Sequence, residues 1–234
     1  MKIEVDNEFK DLILKKIAER EFSERTGVHS TDLIYCLNKQ ALRKLQPKES
    51  TDEEILTFSL GWSTQRWLTS SFEPEVEFMV DGITVTPDTL VQLGVEEGLN
   101  IPWELKTTYQ SCSKPIEENA HWIRQILGEC YVTGTTTAKL TRLGIMGDWK
   151  WVFGKKEEKA EAKHPTLQAW SITFEREELE QFWKWMQNRR DLYQEILATG
   201  RLLPKAIAVA SGQAFECQWC KYKEECDAAQ IVYC

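Results

Sequence analysis

From Asp6 to about Glu24 the apolar residues Phe9, Leu12, Ile13 and Ile17 recur at helical spacing and predict a first helix. Ser30 or Thr31 then offers an N-cap for a second helix. Along it Leu33, Leu37, Ala41 and Leu45 recur every fourth position, with Cys36 beside the stripe and Pro47 as the stop. Thr51 and Glu54 form a capping box for a third helix running to about Ser70. After Pro74 the texture changes. EVEFMVDGITVTPDTLVQLG alternates, is rich in Val, Ile and Thr, and contains a DG turn, which predicts strands of a hairpin or meander. NIPWELKTT is a further strand, and a helix follows from about Glu117 to Thr133. LTRLGIMG and DWKWVFG read as strands, Lys155 to Pro165 as a polar hairpin connection, and LQAWSITF as the returning strand. Glu175 to Thr199 is a long amphipathic helix carrying Leu179, Phe182, Trp183, Met186, Leu192 and Ile196, stopped at Gly200 with Pro204 beyond. The order predicts one α/β domain over 1–234: a helical part (1–73), a mixed sheet interrupted by one helix (74–174), and a long helix with a cysteine-dense tail (175–234).

Composition narrows this without changing it. The chain has 234 residues, 42% of them hydrophobic, with ten Trp, nine Phe and seven Pro, which excludes disorder. Its apolar runs span only a few residues, against the ~20 a membrane helix requires. The charged start MKIEVDNEFKDLILKKIAER resembles neither a secretory signal nor an anchor, so a cytoplasmic protein without a membrane partner is expected. With 29 Lys+Arg against 37 Asp+Glu the net charge is −8, an unusual balance for a nucleic-acid binder. A nuclease built on carboxylates is compatible with it, because local basic stretches can follow phosphates. Such stretches run from Lys39 to Lys48, Lys150 to Lys163 and Lys221 to Lys223, and each reads equally as a solvated face.

Three constellations carry chemistry. The first joins Asp88 of TPD to Glu104 and Lys106 of ELK. Strand alternation points Glu104 and Lys106 the same way and Leu105 the other, and Asp88 can meet them from a preceding strand. Two carboxylates and an ammonium suit Mg²⁺ or Mn²⁺, which lowers the pKa of a bound water that the lysine orients or deprotonates. The second is the i, i+4 series His121, Gln125 and Glu129, either a solvated face or a polar face turned toward the ELK strand. The third is Cys217, Cys220 and Cys226 in C-x2-C-x5-C, a metal-ligating pattern for which Cys36 of the helical flank supplies a fourth thiolate. Four thiolates serve zinc or an iron–sulfur cluster, and the spacing does not choose. Cys112 and Cys130 read as small core residues, Cys234 as a terminal bystander, and Trp67, Trp122 and Trp149 as core rings or stacking surfaces for unpaired bases.

At these residues the chain resembles the RecB-like PD-(D/E)xK nucleases, and among them the CRISPR-associated protein four exonucleases with their viral and stand-alone relatives. HSTDLIYC resembles the family's helix with the first cysteine, TPD and ELK its metal-binding strands, and HWIRQ the start of its glutamine motif. ELEQFWKWMQNRRDLYQEILATGRLLP with C-x2-C-x5-C resembles its long helix and tail. The resemblance implies a PD-(D/E)xK restriction-endonuclease-like core, a mixed central sheet flanked by helices, with a cysteine-ligated iron–sulfur flank. It implies a 4Fe-4S cluster on Cys36, Cys217, Cys220 and Cys226. It implies Asp88, Glu104 and the Leu105 backbone carbonyl as ligands of Mg²⁺ or Mn²⁺, with Lys106 and Gln125 catalytic. The implied activity is metal-dependent exonucleolytic degradation of single-stranded DNA ends, 5′-to-3′, in CRISPR spacer acquisition or a related setting. CRISPR integrase proteins, or further copies of the chain, are the implied partners. The alternative is a weakly active DNA-binding adaptor for an integrase or helicase. A third reading is a zinc-bound structural protein. Two positions depart from the family pattern. Where a histidine ligand is usual, four residues after a helix glycine, Gln65 follows Gly61. Glutamine is a poorer metal ligand than imidazole, and its carbonyl suits a hard Mg²⁺ directly or through water. Four residues after Gln125 stands Glu129 where a tyrosine is usual, with Tyr131 two further on and off that face. His29 lies near the first cysteine and reads as a capping or packing residue.

Overall fold

The Thr51 hydroxyl accepts from the Glu54 backbone N–H (3.3 Å) and the Glu54 carboxylate from that of Thr51 (2.9 Å), so the expected capping box starts its helix. A computed structural model describes residues 5–22, 25–72, 74–92, 100–108, 115–145, 155–157 and 164–230. Its helices are α1 (Asn7–Glu21), α2 (Ser30–Ile34), α3 (Leu37–Leu45), α4 (Asp52–Thr69), α5 (Ala120–Thr133), α6 (Arg176–Thr199), α7 (Lys205–Ala210) and α8 (Lys223–Gln230). Its strands are β1 (Phe78–Val80), β2 (Ile83–Val85), β3 (Thr89–Val91), β4 (Ile101–Thr108), β5 (Thr137–Gly144) and β6 (Thr166–Thr173). DWKWVFG, Trp149, Cys112, Cys234 and most of the Lys150 to Lys163 stretch lie outside the described residues.

The DG turn behaves as its residues require. Asp81 and Gly82 both take positive φ (50° and 72°), the conformation whose twist matches a two-residue hairpin, and β1 pairs antiparallel with β2 across it. The remaining strands form a mixed sheet in the order β3-β4-β5-β6, with β4 and β5 parallel and both edge pairings antiparallel. Parallel neighbours need a crossover, which α5 supplies. The fold is therefore a mixed α/β one, a four-stranded sheet flanked by helices. Among the described residues no helix is long and apolar enough to cross a membrane.

Alternation along β4 divides the flanking helices between two faces. Glu104 and Lys106 point toward α5, whereas Thr107 points toward α4, where its hydroxyl stands 3.5 Å from the position a Cβ on Gly61 would take. Two cores result. One gathers Ile126 and Cys130 of α5, Ala138 and Leu140 of β5, Ile116 and Leu179. The other gathers Leu33, Ile34, Leu37, Ala41, Ile83, Trp183, Met186, Tyr193 and Ile196. α6 contributes to both, and Tyr131 joins them by stacking on Trp183 (centroids 4.4 Å apart, 10° between planes).

Two expectations are corrected. The second helix is not continuous: α2 ends at Ile34 and α3 begins at Leu37, with Tyr35 and Cys36 extended between them (ψ −177° and 116°). The apolar spacing passes through the break because both short helices bury residues against α6. On α1 the buried residue is Leu14, while Phe9, Leu12 and Ile13 are exposed. α1 rests on α4, tied there by Arg66 to Glu21 (2.8 Å twice) and by Phe22 against Trp62, and one helix covers only a narrow stripe of its neighbour.

Leu140 is fully buried at the centre of β5. Leu140→Ala is expected to cost about 2–5 kcal/mol, read as a lower urea midpoint at unchanged slope.

Candidate active site and cysteine flank

β4 and α5 bring three polar side chains together. The Lys106 ammonium donates to Glu104 Oε1 and to Gln125 Oε1 (2.7 Å), and Gln125 Nε2 donates to Glu104 Oε1 (2.7 Å). This closed triangle orients the Gln125 amide, because Lys106 has only donors and the carboxylate only acceptors to offer. Asp88 reaches the same place from the N-terminal edge of β3, its Oδ2 accepting the Leu105 backbone N–H (2.7 Å). The TPD and ELK residues thus meet as expected, and Gln125 joins them.

The site is nearly closed to water on its inner side. The Glu104 side chain is 2% exposed and that of Lys106 17%. Burial first, and then the Glu104 charge, hold the Asp88 carboxyl well above the ordinary carboxylate range. Burial alone would pull Lys106 down, but Glu104 and Asp88 outweigh it and keep the amine above its usual value. Lys106 is accordingly an ammonium at neutral pH, suited to orienting and charge stabilisation rather than to taking a proton. Glu104 Oε2 is buried and accepts from no donor.

The series His121, Gln125 and Glu129 proves to be an inward face. Glu129 is fully buried, with neither carboxyl oxygen accepting from a donor, and lies within hydrogen-bonding reach of Glu104. Burial first, then the Glu104 charge, drive its pKa well up, which favours the neutral acid, a form able to donate where the ionised one could not. Sequence reasoning placed Glu129 on this face without giving it a role; its signal was an acid in an otherwise apolar turn beside Ile126 and Cys130. Tyr131 faces Trp183 and takes no part in the triangle. Gln65 does not join it either: its amide donates to Glu75 (2.8 Å), one of the charges that raise Asp88.

The second constellation forms at the α2–α3 break. Cys36, Cys217, Cys220 and Cys226 line one cavity together with Asn38, Lys39, Leu42 and Tyr222, and all four thiols are free. Burial raises the thiols of Cys36 and Cys220. Cys130 is a buried core thiol pushed up to about 11. Three polar residues that sequence reasoning passed over hold the break open. Arg189 donates to the carbonyls of Leu33 and Tyr35 (2.6 Å to the latter), and Gln213 donates to that of Ile34 (2.6 Å). Glu216 accepts the Cys36 N–H (2.8 Å) and pairs with Lys39 (3.0 Å). The legible signal was Arg189, a charge in the buried stripe between Met186 and Tyr193. Two of the basic stretches are consumed here as well: Lys48 pairs with Glu225 (2.5 Å) and Lys221 with Glu54. His29 sits ahead of α2, its N–H donating to Asp32 and its ring bonded to the Thr26 carbonyl (3.0 Å), the capping role expected of it.

The chain is similar in fold to a solved structure. That structure is titled "Crystal structure of SSO0001"; the TM-score is 0.56 at 16% identity, covering 95% of this chain and 97% of that one. No family model and no curated protein matches the chain. The likeness supports the end-to-end architecture and says nothing of chemistry.

Glu129→Gln tests the neutral acid. A raised folded-state pKa favours folding fully below the unfolded value and loses that advantage as pH climbs toward the folded value. Relative to the wild type, the glutamine variant is expected to gain thermal stability between pH 4 and pH 8. A difference independent of pH would show that Glu129 is ionised in the folded chain.

Proposed function

We propose that the chain is a divalent-metal-dependent deoxyribonuclease of the PD-(D/E)xK type with an iron–sulfur-bound flank, acting on single-stranded DNA ends. The observation that carries this reading is the Glu104–Lys106–Gln125 triangle beside Asp88. Buried Glu104 faces one ammonium and two further acids, Asp88 and Glu129, both pushed up by burial first and then by the Glu104 charge, so the site is short of positive charge. Asp88, Glu104 and the Leu105 carbonyl fit a hard cation that takes its other ligands from waters and phosphate oxygens. Bound there, Mg²⁺ or Mn²⁺ supplies Lewis-acid polarisation of the phosphate and a more acidic water. Lys106 holds a fixed positive charge against the phosphate, and Gln125 fixes the directions of both Lys106 and Glu104 by occupying one hydrogen bond of each.

The flank fits a cluster by its donor set. Four free thiols lining one cavity serve zinc or an iron–sulfur group alike. The resemblance in sequence selects a 4Fe-4S group on Cys36, Cys217, Cys220 and Cys226. The cluster would be structural, since its ligands join α3 to the tail and leave the triangle to β4 and α5.

One observation favours a weakly active adaptor as the second reading. Gln65, where the resemblance sets a histidine ligand, donates its amide nitrogen to Glu75 and offers a cation only its amide oxygen, a weaker ligand than imidazole. End-labelled single-stranded DNA with and without Mg²⁺ or Mn²⁺ separates the two: metal-dependent shortening supports the nuclease, and binding without product supports the adaptor. Labels at the 5′ and 3′ ends report polarity. Lys106→Ala is expected to lower cleavage by about 10²-fold or more while iron content stays at the wild-type level. Cys220→Ala is expected to bleach the protein and lower its melting temperature; a colourless wild type holding one zinc would overturn the cluster.

A further inference from the structure

A line of aromatic rings leads away from the triangle. His121 lies one turn before Gln125 on α5, on the same inward face. Its ring meets those of Tyr35 (centroids 5.8 Å, tilted 44°) and Phe215 (6.1 Å, 34°). Trp122 sets its edge against it (5.7 Å, 71°). Tyr35 belongs to the α2–α3 break, and the charges nearest its hydroxyl are Lys106, Glu216 and Glu104. Phe215 lies in the short turn Ala214–Trp219 that leads into the cysteine tail, 50% exposed, and the same turn ends in Trp219, 85% exposed. Three separate parts of the chain thus set their rings side by side, from beside the catalytic lysine out to solvent.

We propose that Tyr35, His121 and Phe215 form a stacking track for the unpaired bases of the DNA strand held at the triangle. This deepens the nuclease reading and rests on it for the choice of strand. Tilted, partly exposed rings beside cations are what a strand with its bases turned out requires: faces for the bases and charges for the phosphates. The cations nearest His121 in effect are Lys106, bonded to Glu104 and Gln125, and Arg124, whose guanidinium lies over the Trp185 ring (5.1 Å). Burial first, and then those two charges, bring the His121 pKa down to about 4, so its ring is a neutral face in the working range.

The test measures binding by fluorescence anisotropy of the intact protein in buffer without divalent ions, so that no cleavage occurs. The probes are labelled oligo(dT) and an abasic phosphodiester of equal length. Phe215→Ala and Phe215→Leu are each expected to weaken oligo(dT) binding by about 5- to 150-fold, the equivalent of one base–ring stack. The abasic strand is expected to bind both variants as it binds the wild type, and Phe215→Tyr to restore oligo(dT) affinity. The leucine variant keeps an apolar side chain against His121, so its loss cannot be ascribed to a collapsed turn. Equal losses on the two probes, or no loss on either, would overturn the track. A wild type that cleaves normally while Phe215→Ala binds oligo(dT) unchanged removes the track and leaves the nuclease. Phe215-dependent binding in a protein that yields no product retains the track and removes the nuclease.

Discussion

A carboxylate and an ammonium taken largely out of water constrain everything around them. Glu104 and Lys106 sit two residues apart on one strand face, and such a pair gains little unless every remaining donor and acceptor is satisfied. Gln125 does most of that, which requires α5 to lie across β4 with one polar residue in register. Once α5 is so placed, His121 and Glu129 follow, one turn outward and one turn inward. The outward turn opens toward Phe215 and solvent; the inward one packs an acid against an acid, and burial and the Glu104 charge push Glu129 toward its protonated form.

The cysteine flank obeys a parallel rule. Interrupting a helix leaves carbonyls without intrahelical partners. Here the carbonyls of Leu33, Ile34 and Tyr35 are the ones involved, and Arg189 and Gln213 take all three. Arg189 is buried against Trp185, which brings its pKa down to about 10, so it remains charged while it does this. The interruption moves Cys36 from the side of a continuous helix to the cap of α3, where Glu216 fixes its backbone and the tail cysteines share its cavity. Asn38 adds a second tie, exchanging two hydrogen bonds with Leu203 (2.8 Å each). α3 and the segment from Leu203 to Glu225 are therefore bound by protein groups before any metal contributes.

These ties also account for the charge balance. Of the basic stretches, those around Lys39 to Lys48 and Lys221 to Lys223 are largely engaged in pairing the tail to α3 and α4. The cations left to meet a phosphate near the triangle are few and local, Lys106 and Arg124 among them.

Local rules determined the elements. The capping box at Thr51, the DG hairpin, the αL stop at Gly200 and the alternation that pairs Glu104 with Lys106 each follow from a few neighbouring residues. Cysteine spacing likewise marked the tail, and helical spacing put His121, Gln125 and Glu129 on one face. What spacing could not decide was which way that face turns, because a polar series looks the same whether it meets solvent or a buried charge. Nor could it show the break at Tyr35–Cys36, since the apolar period runs through it and the residues that stabilise the interruption lie more than 150 positions away. Those outcomes depend on long-range partners for buried polar groups, and only the folded chain brings such partners within hydrogen-bonding distance.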